Sequence, residues 1–253
     1  MLISAVIITK NEERNIRRCL ESLRGIADDI VIVDSGSTDK TEEICNEFGV
    51  KFVHQDWLGY SEQKNFANNL AANDWVLSID ADEELSEPLR KSILELKNRQ
   101  FADEVVFSMN RLTSYCGHWI RHCGWYPDRK IRIWNRKVGH WQGEIHETIE
   151  FSVDVKEVLL KGDLLHYSFA TAQDYENQMF KFAEMRGQHY FYKGRKNAGF
   201  MMAVSPAFSF VQHYIFRLGF LDGADGLHIC RIAAKANRLK YKKLKELTIS
   251  QSR

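Results

Sequence analysis

Four short apolar runs constrain this chain more than any other feature. Each breaks off at a polar loop and is followed by an amphipathic stretch. Residues 2–8 (LISAVII) are apolar on both faces, as a strand covered by helices on each side must be. The run gives way to Thr9-Lys10-Asn11-Glu12-Glu13, where Asn11 is placed to cap a helix with Ile16, Leu20 and Leu23 on its inner stripe. Residues 28–33 form a second strand that ends at Asp34. Ser35-Gly36-Ser37-Thr38-Asp39 is then a turn, and Ser37 or Thr38 caps a helix that faces Ile44, Cys45 and Phe48 inward. Residues 50–53 are a third strand. Residues 59–72 are a third helix, with Gln63, Lys64 and Asn65 near its start, and residues 75–79 are a fourth strand. Strand–helix alternation at this spacing predicts a mainly parallel, doubly wound α/β sheet flanked by helices. Ligands of such sheets bind beyond the carboxyl ends of the strands. That rule gathers residues 9–12, Asp34 and Asp80-Ala81-Asp82 on one rim.

The fourth strand carries the strongest chemical signal, WVLSIDADEE over 75–84. Two carboxylates one residue apart at the open end of a strand repel each other, and alone one would keep its proton. A hard divalent cation resolves the repulsion, and oxygen ligands suit Mg²⁺ or Mn²⁺, with waters or substrate phosphates filling the remaining positions. The competing reading is a solvated acidic turn. Likewise Thr9 can simply end its strand, and Asp34 can be a turn-capping Asp before Ser-Gly. Glu83 and Glu84 are expected as helix-start carboxylates favoured by the dipole.

The ordered motifs VIITKNEE, IVIVDSGSTDKT, the helix with QKNFA, and VLSIDADEE together resemble a family 2 glycosyltransferase of the GT-A (Rossmann-like) fold. The likeness covers roughly the first 90 residues. Downstream, PDRKIRIWNRK, GEIHE and LLHYSF resemble a subgroup that transfers sugars in lipopolysaccharide core assembly, of which β-1,4-glucosyltransferases are typical. The resemblance implies that Thr9 and Glu12 contact nucleoside base and ribose, that Asp34 accepts a hydrogen bond from uracil, and that Lys64 lies near the pyrophosphate. It further implies that Asp80 and Asp82 form the metal motif, with His166 as a downstream metal ligand; the competing reading of His166 is a core histidine near a strand end. Two positions depart from the family: Lys10 stands where a Tyr commonly stacks on the base, and Ser35 where a second Asp is common. By the same resemblance the reaction inverts the anomeric centre.

Inverting transfer needs a carboxylate to take the acceptor hydroxyl proton. Gly143-Glu144-Ile145-His146-Glu147 is the best place for one, with Glu147 the first choice, Glu144 the second, and His146 able to orient either. Glu87-Pro88 opens an amphipathic helix with Leu89, Ile93, Leu94 and Leu96 on its apolar side. Residues 104–111 read as a strand. Residues 130–135 alternate as a half-exposed strand should, with Arg129 and Arg132 either meeting phosphate groups or serving as ordinary surface charge. The stretch 115–125 is dense in aromatic, Cys and His side chains, but Cys116-x-His118 and His122-Cys123 are not a usual zinc spacing. It reads as an aromatic acceptor wall or as core.

Charge is unevenly placed along the 253 residues. Residues 181–253 hold 14 Lys/Arg against 4 Asp/Glu, and the rest hold 21 against 30. An acidic body with a basic tail points to an anionic partner surface. Residues 198–221 are apolar but broken by Pro206, Gln212, His213 and Arg217, too interrupted to span a bilayer and suited to lying in its interface. The rival is burial of that segment, against the catalytic body or against a twin subunit in a homodimer. Residues 235–245 (KANRLKYKKLK) read as a basic helix that could meet lipid phosphates. The five scattered cysteines fit reduced thiols, and no secretory signal is visible at the N-terminus, so the expected place is the cytoplasm, peripheral at the inner face of the inner membrane.

The expected organisation is a catalytic domain over 1–175, nucleotide-sugar binding over 1–95 and acceptor-facing over 96–175, with a helical basic extension over 176–253. The expected partners are a nucleotide sugar, UDP-glucose above others, and a saccharide or lipid-linked saccharide acceptor. Two other classes compete. A nucleotidyltransferase would carry a Gly-rich basic loop after the first strand, and TKNEE has no glycine. A nucleic-acid module could use the basic tail, but the acidic body and the lack of a recognisable motif argue for no nucleic acid.

Overall fold

The structure, a computed structural model, describes residues 1–143 and 147–251. The chain forms two compact units. One comprises 1–111 and 128–167, and the other 112–127 and 168–253. This division follows packing, and leaves the functional boundary at 175/176 a separate question.

The first unit is built on a mixed sheet. Its strands are β1 (Ile3–Thr9), β2 (Asp29–Asp34), β3 (Lys51–His54), β4 (Trp75–Ser78), β5 (Glu83–Leu85), β6 (Val105–Tyr115), β8 (Asp128–Asn135) and β11 (Lys156–Phe169), in the order β3-β2-β1-β4-β8-β6-β11-β5. The far ends of β6 and β11 run on into the second unit, where the short β7 (His118–Trp119) pairs β6. β1 to β4 are mutually parallel, as the strand–helix alternation predicts, and β4 then pairs β8 antiparallel. Thr9 is in register with Asp34, and Asp34 with His54, so these carboxyl ends share one rim.

The helices α1 (Ile16–Leu23), α2 (Thr41–Glu47), α3 (Tyr60–Leu70) and α4 (Glu87–Lys97) cover the sheet. Their apolar faces build two clusters, one centred on Ile3, Leu20, Leu77 and Phe107, the other on Val6, Val31, Val76 and Trp134. A separate hairpin, β9 (Gly139–Gln142) with β10 (Thr148–Phe151), completes the unit.

Three local expectations change. Asn11 does not cap α1: it sits at φ 57°, its carboxamide oxygen accepts from the Thr38 amide at 2.8 Å, and the helix begins at Ile16. Nor do Ser37 and Thr38 cap α2, which begins at Thr41; Ser37 instead bonds Asp34. Glu83 and Glu84 start no helix. They lie in β5, which pairs β11 in the register Leu164↔Leu85.

Gly162 in β11 has a φ of 100°, and a Cβ there would collide with the backbone of Leu89 at the start of α4. Gly162→Ala is therefore expected to cost about 1–3 kcal/mol from backbone strain alone, measured as the shift in urea midpoint; an unshifted midpoint would refute it.

The second unit is helical. α5 (Ala172–Tyr192) starts from a capping box between Thr171 and Asp174, and is followed by α6 (Ala198–Val211) and α7 (Gly223–Gln251). The stretch 115–125 supplies core here: Tyr115, Ile120 and Cys123 pack with Tyr175, Ile229, Cys230 and Ile232. Among the described residues no helix is long and apolar enough to cross a membrane.

Candidate active site

β4 ends at Ser78, and the chain turns through Ile79-Asp80-Ala81-Asp82 into β5. The Glu83 amide donates to the Asp80 carbonyl at 2.9 Å, which closes the turn. Both oxygens of Asp80 meet cations: Oδ1 lies 3.2 Å from Lys64 Nζ, and Oδ2 2.9 Å from Arg132 Nη2. Burial would raise the Asp80 pKa, but the Arg132 guanidinium, then the Lys64 ammonium, outweigh it and hold the carboxyl well below the usual range. The same Arg132 nitrogen reaches Glu83 Oε1 at 2.5 Å, and Arg111 adds a longer contact at 3.6 Å. Glu83 is fully buried; burial, with Asp80 beside it, pushes its pKa up against the pull of Arg132.

A β-bulge puts Arg132 there. Phe107 pairs Ile133 while Ser108 pairs Ile131, so Arg132 is an extra residue in β8. A bulge re-aims the side chain it carries. The half-exposed alternation expected for 130–135 fails for this reason and because β8 lies inside the sheet: Arg132 is only 4% exposed. It is not surface charge. Arg129 is the exposed one, 3.4 Å from Glu157.

Asp82 faces His166 of β11, with Oδ2 3.2 Å from Nε2. Adjacent ligands of an octahedral cation with bonds of about 2.1 Å stand about 3 Å apart, so this oxygen and nitrogen fit two neighbouring positions on one ion. Among the described residues no cluster of three His, Cys, Asp or Glu side chains forms. Asp82 and His166 are thus two donors among the described residues, with water and substrate oxygens suited to the remaining positions.

Glu12 lies across the rim from these acids. Burial raises its pKa, the charges of Asp82, Asp39 and Asp80 add to the rise, and the Asn15 amide 2.9 Å away opposes it. Thr9 Oγ1 is buried with no hydrogen-bond partner. Asp34 is fully buried and takes the turn-capping role in full, accepting from the Gly36 and Ser37 amides at 2.9 and 2.8 Å and from the Ser37 hydroxyl at 2.5 Å.

The β9–β10 hairpin is held by α3. Asn65 donates to the Trp141 carbonyl and accepts from its amide, both at 2.8 Å, and the Ser61 hydroxyl donates to the Gly143 carbonyl at 2.5 Å. Lys64 Nζ stands 4.6 Å over the Trp141 ring while reaching Asp80. Glu147, half-buried, immediately precedes β10 at the tip of this hairpin. Glu144 and His146 lie outside the described residues.

The structure therefore brings Thr9, Asp34, Lys64, Asp80, Asp82 and His166 to the end of one sheet, with Glu12 in their field. Glu83 was not expected there, and Arg132 was expected to meet phosphate groups or lie at the surface, not to pair with carboxylates inside the sheet. No local signal marks that placement of Arg132, since an arginine between Ile131 and Ile133 is the pattern of an exposed position in an alternating strand.

The model of glycosyl transferase family 2 matches residues 4–151. An uncharacterized glycosyltransferase of Rickettsia typhi is 33% identical over 266 residues, covering 98% of this chain and 88% of its own. The lipopolysaccharide core biosynthesis glycosyltransferase LpsC of Rhizobium meliloti is 30% identical over 230 residues, covering 86% of this chain and 82% of its own. Among solved structures, S. aureus TarS 1–349 in complex with UDP spans all of this chain and 92% of its own at 15% identity, with a TM-score of 0.45 that carries no argument.

Proposed function

The chain belongs to glycosyl transferase family 2, and from that premise we propose that it moves a hexose, glucose above others, from a UDP-linked donor to a saccharide acceptor by inverting displacement. The acceptor class, lipopolysaccharide core or another cell-surface glycan, is supported by the name of the Rhizobium meliloti relative; the chain would meet it at the cytoplasmic face of the inner membrane. Residues 1–95 take the donor, 96–175 face the acceptor, and 176–253 form an extension.

The observation that carries this reading is the Asp82–His166 pair beside an Asp80 already neutralised by Lys64 and Arg132. Asp82 and His166 would hold Mg²⁺ or Mn²⁺, which supplies positive charge for the departing diphosphate. Lys64, 3.2 Å from Asp80 and 4.6 Å over Trp141, would turn its ammonium to a diphosphate oxygen. Thr9 Oγ1 gains a partner when a nucleoside arrives, which accounts for a buried hydroxyl without one. Glu12 contacts the ribose. Asp34 shapes the loop facing the base, and its Oδ1, which takes the Ser37 hydroxyl, has a second lone pair with which it would accept from uracil. Glu147 takes the acceptor proton, with Glu144 as the alternative.

Thermal unfolding with UDP, with and without Mn²⁺, tests the donor site. At about a hundredfold excess over Kd a ligand adds about 2.7 kcal/mol to apparent stability. Asp82→Asn is expected to abolish the Mn²⁺-dependent part of that rise and leave the apo melting temperature close to wild type. An intact Mn²⁺ increment in the variant would move the metal elsewhere.

A further inference from the structure

α6 is built the wrong way round for a helix that meets water. Its sequence, AGFMMAVSPAFSFV, contains no charge, and its buried positions are the serines Ser205 and Ser209. Its outward face presents Phe200, Val204, Phe208 and Val211, at spacings of four, four and three that keep them on one stripe. Phe200 is 68% exposed and Phe208 65%. The turns that follow continue the surface with Ile215, Phe216, Leu218, Phe220 and Leu221, Phe216 being 78% exposed. A contiguous apolar surface of this kind marks an interaction face rather than scattered exposure.

Charge indicates what covers it. From 185 to 221 there is no Asp or Glu, while Arg186, Lys193, Arg195, Lys196 and Arg217 are present. Lys193, Arg195 and Lys196 are exposed just before α6 begins. In the same unit a groove of about 740 Å³ is lined by Phe180, Met202, Leu239 and Ile249 and by four cations, of which Lys235 and Lys242 stand 3.8 Å from Glu176 and Glu246 while Arg238 and Lys245 leave the balance positive. A second copy of the chain docked on this face would bring its own cations against these. An anionic bilayer supplies both the apolar medium and the opposite charge.

We propose that the helical unit docks on an anionic membrane surface, with the outer face of α6 and the turns after it lying in the interface and the flanking cations on lipid phosphates. No transmembrane segment is needed, and the proposal stands whether or not the transferase reading holds.

The test is co-sedimentation of the full chain with vesicles of phosphatidylcholine alone or of equal parts phosphatidylcholine and phosphatidylglycerol. The anionic vesicles are expected to bind at least about tenfold more tightly, with affinity falling as salt rises. Phe200→Ser and Phe208→Ser are each expected to weaken binding roughly tenfold or more. Lys193→Gln and Lys196→Gln are each expected to weaken it roughly fivefold, on anionic vesicles alone. All four side chains are exposed, and circular dichroism melts unchanged from wild type confirm that the fold persists. Absence of vesicle binding, equal binding to both compositions, or a lipid-free dimer that Phe208→Ser dissolves while vesicles stay unbound would each overturn the proposal.

Discussion

Arg132→Met is expected to destabilise the protein by about 3–5 kcal/mol, because it takes the close counter-ion from the buried Glu83 and one of two cations from the half-buried Asp80. Wild-type Arg132 holds Asp80 at 2.9 Å and Glu83 at 2.5 Å from one nitrogen, and Glu83 is fully buried. Methionine fills most of the volume, so the loss reports charge and not a cavity. Lys64 still offsets Asp80, which identifies Glu83 as the group left most exposed to the loss. Glu83→Gln in the Arg132→Met background should therefore recover part of the deficit, and Arg132→Lys should fall between wild type and Met, since one ammonium cannot reproduce the guanidinium fork.

The pH dependence has a definite sign. Asp80 in the wild type has a depressed pKa, so its contribution is present above the unfolded carboxylate value and is lost as pH falls toward the folded one. In Arg132→Met the carboxylates lose the group that lowers them, their pKa values rise, and protonation relieves the buried charge. The gap between variant and wild type therefore narrows as pH falls. Urea unfolding at neutral and mildly acidic pH measures it. A deficit below about 1 kcal/mol, the range of an exposed pair, would show that the bulge arginine is not an internal counter-ion.

The second large effect is catalytic. Glu147→Gln is expected to lower the transfer rate by about 10²–10⁴, the usual contribution of a positioned general base, with UDP binding unchanged. Glu147 lies at the end of a hairpin whose other arm is clamped to α3 by Asn65, and α3 carries the lysine that reaches Asp80. That arm is thereby tied to the helix whose Lys64 reaches Asp80 at the carboxyl end of the sheet. Single-turnover transfer with a saccharide acceptor, beside UDP binding by calorimetry, separates the two roles. Full transfer by Glu147→Gln together with its loss in Glu144→Gln would assign the base to Glu144; loss of UDP binding in Glu147→Gln would make Glu147 a donor-site residue instead.

The shared rim was legible from periodicity, whereas the parts given to Glu12, Lys64 and His166 came from the family resemblance. Strands apolar on both faces implied a covered parallel sheet, and the rule that ligands gather at carboxyl ends put Thr9, Asp34, Asp80 and Asp82 together. What stayed hidden was set by long-range pairing. The bulge at Arg132 depends on how β8 meets β6, and no local pattern encodes a register shift. Glu83 and Glu84 read as a helix start because acids before a Pro-led helix usually are; pairing with β11, about 80 residues away, overrode that preference. The caps moved for a related reason. The side chains of Asn11, Ser37 and Thr41 are spent joining the loops after β1 and β2 to each other, which leaves α1 and α2 to begin later.

β11 spends consecutive residues on separate tasks: His166 meets Asp82, while the Tyr167 hydroxyl donates to Glu84 at 2.7 Å under the guanidinium of Arg18. Side chains alternate across a sheet, so a one-residue slip exchanges them. Gaining or losing a single codon between Gly162 and His166 would present leucine to Asp82 or bring the phenol in place of the imidazole. In descendants of this sequence, length variation in that short interval should be purged even where side-chain identity drifts freely.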